Sequence, residues 1–218
     1  QCVELYEQYE FSRALPLAIE LSYLRKADAN SFCLLGSIQV KLNNYKRAES
    51  AFRTALELDQ HSKEAKLGLI GSIRFNGLSI ELEKLCQSII AEQPTQPEQY
   101  LILGMSLLEA GKYSKATNLL KTAIEQVPPQ AAVHNMLGLV QQSNLEAEDA
   151  ISCFQNAIQL DPEFAQAHYN LGCCFIYLEN YQSAENSLRK AVACQARYPE
   201  AHYNLGQALL KQGKLREA

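Results

Sequence analysis

Three histidines, His134, His168 and His202, stand 34 residues apart in the chain. Imidazole is the commonest transition-metal ligand, so this spacing raises the question of a metal centre. Shortly after His168 comes a vicinal thiol pair, Cys173-Cys174, and five more cysteines fall at 2, 33, 86, 153 and 194. Thiols could add soft ligands or redox chemistry. A metal requires its donors within about 2 Å of one ion, so the elements that carry these residues decide whether they can meet.

The phrase AHYNLG occurs at 167–172 and again at 201–206, and the same 34-residue step runs along the whole chain. Gly206 and Gly172 are preceded by Gly138, Gly104, Ile70 and Gly36; one place earlier, leucine is unbroken from Leu35 through Leu69, Leu103, Leu137 and Leu171 to Leu205. Alanine recurs at 14, 48, 116, 150, 184 and 218, interrupted by Leu82, and Pro94, Pro128 and Pro162 keep the step. Repetition at this period means a stacked array of supersecondary units.

Within residues 165–198, Ala167, Leu171, Phe175 and Leu178 follow one helical stripe, and Tyr181, Ala184, Leu188, Ala191 and Val192 follow a second. Two amphipathic helices joined by a tight turn at Glu179–Asn180 result. Gly172 and Ala184 lack bulk where the two backbones must approach within about 8–10 Å. The prolines mark where second helices end. Breaks between paired helices are expected near 43–44, 77–78, 111–112, 145–146 and 179–180, with about fourteen helices and no sheet.

This unit resembles the tetratricopeptide repeat family, whose pattern is an aromatic, Leu-Gly, Tyr, Ala, Phe, Ala and Pro. Residues 131–164 carry it as His134, Leu137-Gly138, Ala150, Phe154, Ala157 and Pro162; residues 29–62 carry it as Phe32, Leu35-Gly36, Tyr45, Ala48, Phe52 and Ala55. The resemblance implies an all-α, right-handed superhelix of antiparallel helix pairs. It covers residues 1–218 as one array: a partial repeat 1–28, repeats 29–62, 63–96, 97–130, 131–164 and 165–198, and a partial repeat 199–218. Both ends fall inside a unit, so the chain reads as a piece of a longer superhelix.

The histidines then sit one per unit, in the family's aromatic packing place, with units about 10 Å apart. Packing is the expected role, with no metal and no cofactor. Cys173 and Cys174 point to different faces of one helix. An odd number of cysteines on helices, with no CxxC pair, suggests free thiols in a reducing, cytoplasmic compartment.

Composition narrows the function further. The net charge is −4, from 20 basic and 24 acidic residues, without a basic stripe for nucleic acid. No apolar run approaches the roughly 20 residues that span a bilayer. Gly-rich phosphate loops, nucleophile elbows and HExxH are missing from the sequence, so this segment is not expected to be an enzyme.

The resemblance implies a ligand groove on the concave face, lined by the second, fifth, ninth and twelfth residues of each first helix. Helical spacing puts those four on one stripe. The fifth, ninth and twelfth residues are Cys33, Ser37 and Val40; Leu67, Gly71 and Arg74; Leu101, Met105 and Leu108; Asn135, Leu139 and Gln142; Tyr169, Cys173 and Ile176; Tyr203, Gln207 and Leu210. Chaperone-tail clamps of the family use Lys at the fifth and Asn at the ninth position, a pair missing here. The O-GlcNAc transferase arm uses asparagine at the sixth, matched by Asn170 and Asn204 but not by Leu34, Gly68, Ile102 or Met136.

The expected partner is therefore a protein or peptide segment, uncharged or weakly basic. Tyr169, Asn170, Tyr203 and Asn204 would make polar contacts, with Glu64, Glu98 and Glu200 steering basic ligands. The rival reading is a substrate-recruiting arm of a larger glycosyl-, sulfo- or methyltransferase whose catalytic domain lies elsewhere. Self-association through the cut ends is a third. The unit at 63–96 is expected to be the loosest, because Ile70 and Leu82 replace small residues and Gly68, Gly71 and Gly77 weaken its helices.

Overall fold

The computed structural model describes residues 1–24, 28–73, 80–92 and 94–214. Its ordered elements are all helical among the described residues. They fall into two compact units, Gln1–Pro94 and Thr95–Ala218. The first holds α1 (Cys2–Glu7), α2 (Phe11–Tyr23), α3 (Ala29–Lys41), α4 (Tyr45–Leu58), α5 (Lys63–Ile73) and α6 (Ile80–Ala91). The second holds α7 (Pro97–Glu109), α8 (Tyr113–Gln126), α9 (Ala131–Ser143), α10 (Ala147–Leu160), α11 (Ala165–Tyr177), α12 (Tyr181–Cys194) and α13 (Pro199–Lys211). The break near 77–78, Arg74, Gly77 and the residues that would open a further helix at 215–218 lie outside the described residues.

Six turns among the described residues pass through one residue in the left-handed region: Tyr9, Asn43, Gly111, Leu145, Glu179 and Gly213, with φ between 57° and 76°. Two backbone bonds close the turn. After α3, the Asn43 N–H donates to the Val40 carbonyl at 2.9 Å and the Asn44 N–H to the Gln39 carbonyl at 2.8 Å. The same pair recurs after α7, α9, α11 and α13, and satisfies carbonyls that a helix C-terminus would leave orphaned. These turns lie where four of the expected breaks fall. Two helix starts are capped by side chains: at α3 Asp28 accepts from the Ser31 N–H at 2.9 Å, and at α12 Asn180 accepts from the Ser183 N–H at 3.2 Å.

Helix pairs close through a bulky side chain set against a glycine. A Cβ added to Gly36 would lie 2.7 Å from the Phe52 ring; on Gly138 it would lie 2.6 Å from Phe154, and on Gly172 2.6 Å from Leu188. The alanine column, at 14, 48, 116, 150 and 184, is fully buried. Ile70 and Leu82, where neighbouring repeats have glycine and alanine, are buried too, so the core of the third hairpin takes in the larger pair. Gly68 also has a packing reason that its low helix propensity hides. Its missing Cβ would come within 2.2 Å of Phe52, so this one ring nests between Gly36 of its own repeat and Gly68 of the next. Gly71 has open space around it.

Candidate functional site

Two of the three histidines take up backbone bonds. His168 Nε2 lies 2.9 Å from the Pro162 carbonyl and His202 Nε2 lies 3.0 Å from the Ala196 carbonyl, the same bond one repeat on. A carbonyl only accepts, so Nε2 carries the proton in both. His134 is half-buried, and desolvation lowers its pKa. Two other fourth-position residues are engaged as well: Lys66 Nζ bonds Glu92 Oε1 at 2.7 Å, and the Tyr100 hydroxyl donates to Gln126 Oε1 at 3.1 Å. Among the described residues, no group of three or more His, Cys, Asp or Glu is placed to hold a metal. All seven cysteines are free thiols, and burial pushes Cys33, Cys153 and Cys174 up to about 11. Such thiols remain protonated and are poor nucleophiles at neutral pH.

The first-helix stripe divides into buried and accessible members. In the first unit, Cys33 is fully buried, its Sγ 4.0 Å from Ser62 Oγ, while Ser37, Val40, Leu67 and Gly71 are half-buried. In the second unit, Leu101, Met105, Leu108, Leu139, Gln142, Tyr169, Cys173, Ile176 and Asn204 are half-buried. Tyr203 and Gln207 are exposed, and Leu210 is 54% exposed. Asn135 and Asn170 are buried.

The asparagines join neighbouring repeats. Asn170 Nδ2 donates to Asn135 Oδ1 at 2.9 Å, from the sixth position of one first helix to the fifth position of the one before. Asn204 Nδ2 repeats that reach one unit later, at 3.3 Å from both the Tyr169 hydroxyl oxygen and Cys173 Sγ. Burial, then the thiol and the negative groups nearby, push the Tyr169 phenol up to about 12, so it stays neutral. Gln207 Nε2 donates to the Tyr203 hydroxyl at 2.8 Å within α13. The amide side chains thus have a structural use, which the sequence signals only by recurrence at positions five and six.

Two hollows open along the stripe of the second unit. One, of about 330 Å³, is lined by Tyr169, Pro199, Glu200, Tyr203 and Asn204. The other, of about 320 Å³, is lined by Ile176, Tyr181, Gln207, Ala208, Leu210 and Lys211. The second-position acids Glu64, Glu98 and Glu200 are all exposed.

Sequence reasoning did not find the clamp on α12. Glu185 is buried, yet its carboxylate accepts from Lys214 Nζ at 2.6 Å, Arg189 Nε at 2.9 Å and Gln212 Nε2 at 3.0 Å. Those bonds, Lys214 first, hold its pKa down to about 2. Two of the partners lie beyond the next helix, so no short motif announces them.

A tetratricopeptide repeat model matches residues 29–62, and a TPR repeat model matches residues 146–173 and 175–213. Comparison with curated proteins gives no match. Among solved structures, the Cut9–Hcn1 hetero-tetramer of APC/C aligns over 97% of this chain with a TM-score of 0.78 and 20% identity. This chain spans 42% of that one. TTC0263, a thermophilic TPR protein in Thermus thermophilus, gives a TM-score of 0.70 at 20% identity, covering 84% of this chain and 99% of that one. YrrB, a TPR protein with an unusual peptide-binding site, gives 0.59 at 22% identity, covering 88% and 96%. These identities speak to fold. No helix among the described residues is long and apolar enough to cross a membrane. Repeat models at both ends of the chain, helix pairs at a constant step and neighbours built of the same repeat together assign this chain to the tetratricopeptide repeat family, whose scaffolds generally serve protein–protein interaction and are generally non-catalytic.

Proposed function

We propose that the chain is a non-catalytic scaffold that binds a protein or peptide segment along its first-helix stripe, in a reducing, cytoplasmic setting. The observation that carries this reading is on α13, where Tyr203 is 67% exposed and Leu210 54% exposed on the first-helix stripe. Apolar and aromatic side chains left in water at the fifth and twelfth positions of one stripe favour association. Tyrosine supplies broad contact area with little rotamer entropy to lose, and a hydroxyl to orient a partner. Met105 among Leu101, Leu108 and Leu139 adds an adaptable apolar strip in the same unit. Relatives of the same fold lend support by analogy, since YrrB has a peptide-binding site and Cut9 is found in a complex with Hcn1.

Asn170 is buried and bonded to Asn135, so the polar contacts are assigned to Tyr169, Tyr203, Asn204 and Gln207. With no charge clamp for a terminal carboxylate, the expected affinity is about micromolar. The test is a quantitative pull-down on an identified partner, comparing Tyr203→Ala with Gln207→Ala against a second-helix control, Lys121→Ala with Lys190→Ala. All four residues are exposed, so both double variants should fold. Loss of the partner with the first pair and retention with the second is expected. The reverse pattern would move the working face to the second helices.

A further inference from the structure

The hollow at the start of α13 combines two features that suit one kind of guest. Its walls are phenol rings: Tyr169 and Tyr203 line it, and Tyr198 lies against Tyr169 with ring centroids 5.0 Å apart. Its rim carries the Glu200 carboxylate, which is exposed and has no hydrogen-bond or ion-pair partner among the described residues. Glu200 also acts on those rings, since its charge is among the causes that raise both Tyr169 and Tyr198. A π face attracts a cation, and an uncompensated carboxylate beside it adds a charge partner. Asn204 holds the Tyr169 hydroxyl from the side, so this wall is already in place.

A first-turn acid alone would need no such explanation, because carboxylates favour helix N-termini. The surroundings distinguish this one. At α7, which also has a second-position glutamate, Glu98, the flanking residues are Gln96 and Leu101. At α11 the aromatic Tyr169 is present but the second position is Gln166. The start of α13 brings Glu200 and Tyr203 together with Tyr169 and Tyr198 of the repeat before.

Resting on the interaction reading above, we propose that this hollow receives a lysine or arginine side chain of the bound protein segment, its cationic head against Tyr169 and Tyr203 and paired with Glu200. The methylene stem would follow Pro199 and the ring edges, as long basic side chains do on apolar surface. Arg197, exposed nearby, is the basic residue of the chain closest in sequence and would compete with the guest for Glu200.

The probes are four blocked pentapeptides, acetyl-Gly-Ser-Xaa-Ser-Gly-amide, with lysine, arginine, norleucine or glutamate at Xaa, titrated into the ¹⁵N-labelled chain. The lysine and arginine peptides should shift the amides of Tyr169 and of residues 198–204. The norleucine peptide should bind about 5-fold more weakly or worse, and the glutamate peptide weaker still. Glu200→Gln and Tyr203→Leu should each weaken lysine-peptide binding about 5-fold, and Tyr203→Phe should retain it, because the ring and not the hydroxyl meets the cation. Equal binding of lysine and norleucine peptides, shifts confined to other residues, or an unchanged Glu200→Gln variant would overturn the proposal. Failure here with the pull-down still dependent on Tyr203 and Gln207 would remove the cation site and leave the interaction face. A pull-down independent of those residues would instead remove the face.

Discussion

Gly68 and Asn170 hold the same place, the sixth residue of a first helix, three repeats apart. At Gly68 the place is empty of side chain, and the Phe52 ring of the preceding repeat enters it. At Asn170 it carries an amide that is buried and bonded to Asn135 of the preceding repeat. One position thus solves the same problem, fixing a repeat against its neighbour, by shape in one region and by hydrogen bonding in the other. Shape complementarity tolerates no added atom. A polar pair tolerates the loss of both partners better than the loss of one.

The largest effect is expected from removing the knob that the first solution depends on. Phe52→Ala should lose about 3–5 kcal/mol in urea denaturation. Gly68→Ala alone should cost about 1–3 kcal/mol through overpacking. On the Phe52→Ala background it should become neutral or stabilising, since the clash is gone and alanine is the better helix former. A cost for Gly68→Ala that is the same on both backgrounds would detach Gly68 from Phe52.

In the second unit, Asn170→Ala should destabilise by about 1–3 kcal/mol by leaving the buried Asn135 amide unsatisfied. The double change Asn135→Ala with Asn170→Ala should cost less than the sum of the two single ones. Additivity in that cycle would show that the 2.9 Å bond carries no coupling.

Acid sharpens the comparison at the level of charge. Glu185 has its pKa held to about 2 in the fold, against an ordinary 4.5, so its clamp stabilises the second unit above that ordinary value. That contribution fades as pH falls from 4.5 toward 2. Glu81, lowered mainly by Arg53, and Glu92, lowered mainly by Lys66, give the first unit a loss of the same sign. Glu185→Gln should flatten the acid limb of the stability curve, measured by denaturation between pH 5 and about pH 2. An acid limb identical to that of the parent chain would contradict the clamp.

The smallest effects come from single backbone positions. Leu145 has φ of 64° and is 76% exposed, so Leu145→Gly should gain about 1 kcal/mol. Gly71→Ala, with nothing within 4 Å of the new methyl, should gain about 0.5–1 kcal/mol. Thermal melts of the two variants check both signs.

These particulars show what the sequence could convey. The constant step, the small columns and the turns near 43–44, 111–112, 145–146 and 179–180 were legible because they depend on local periodicity and on backbone geometry within one repeat. The fourth-position histidines read as packing residues for the same reason, and His168 and His202 each bond a carbonyl six residues back. Contacts between repeats were less legible. Gly68 reads as a weak helix former until the Phe52 side chain is seen to cross into the next repeat. Asn170 reads as a ligand contact until its amide is found facing Asn135. Glu185 reads as an ordinary surface acid until Lys214 and Gln212 arrive from beyond α13. Each depends on how adjacent units stagger, which a single sequence encodes without displaying.

The most direct test of the interaction face is site-specific photo-crosslinking in the native cell extract. A benzophenone amino acid would replace Tyr203 or Gln207 on the first-helix stripe, or Gln155 or Lys190 on the second helices, all exposed positions. The account predicts that the same partner protein is trapped from 203 and from 207 and from neither second-helix site. Trapping of one partner from 155 and 190, with 203 and 207 silent, would contradict it.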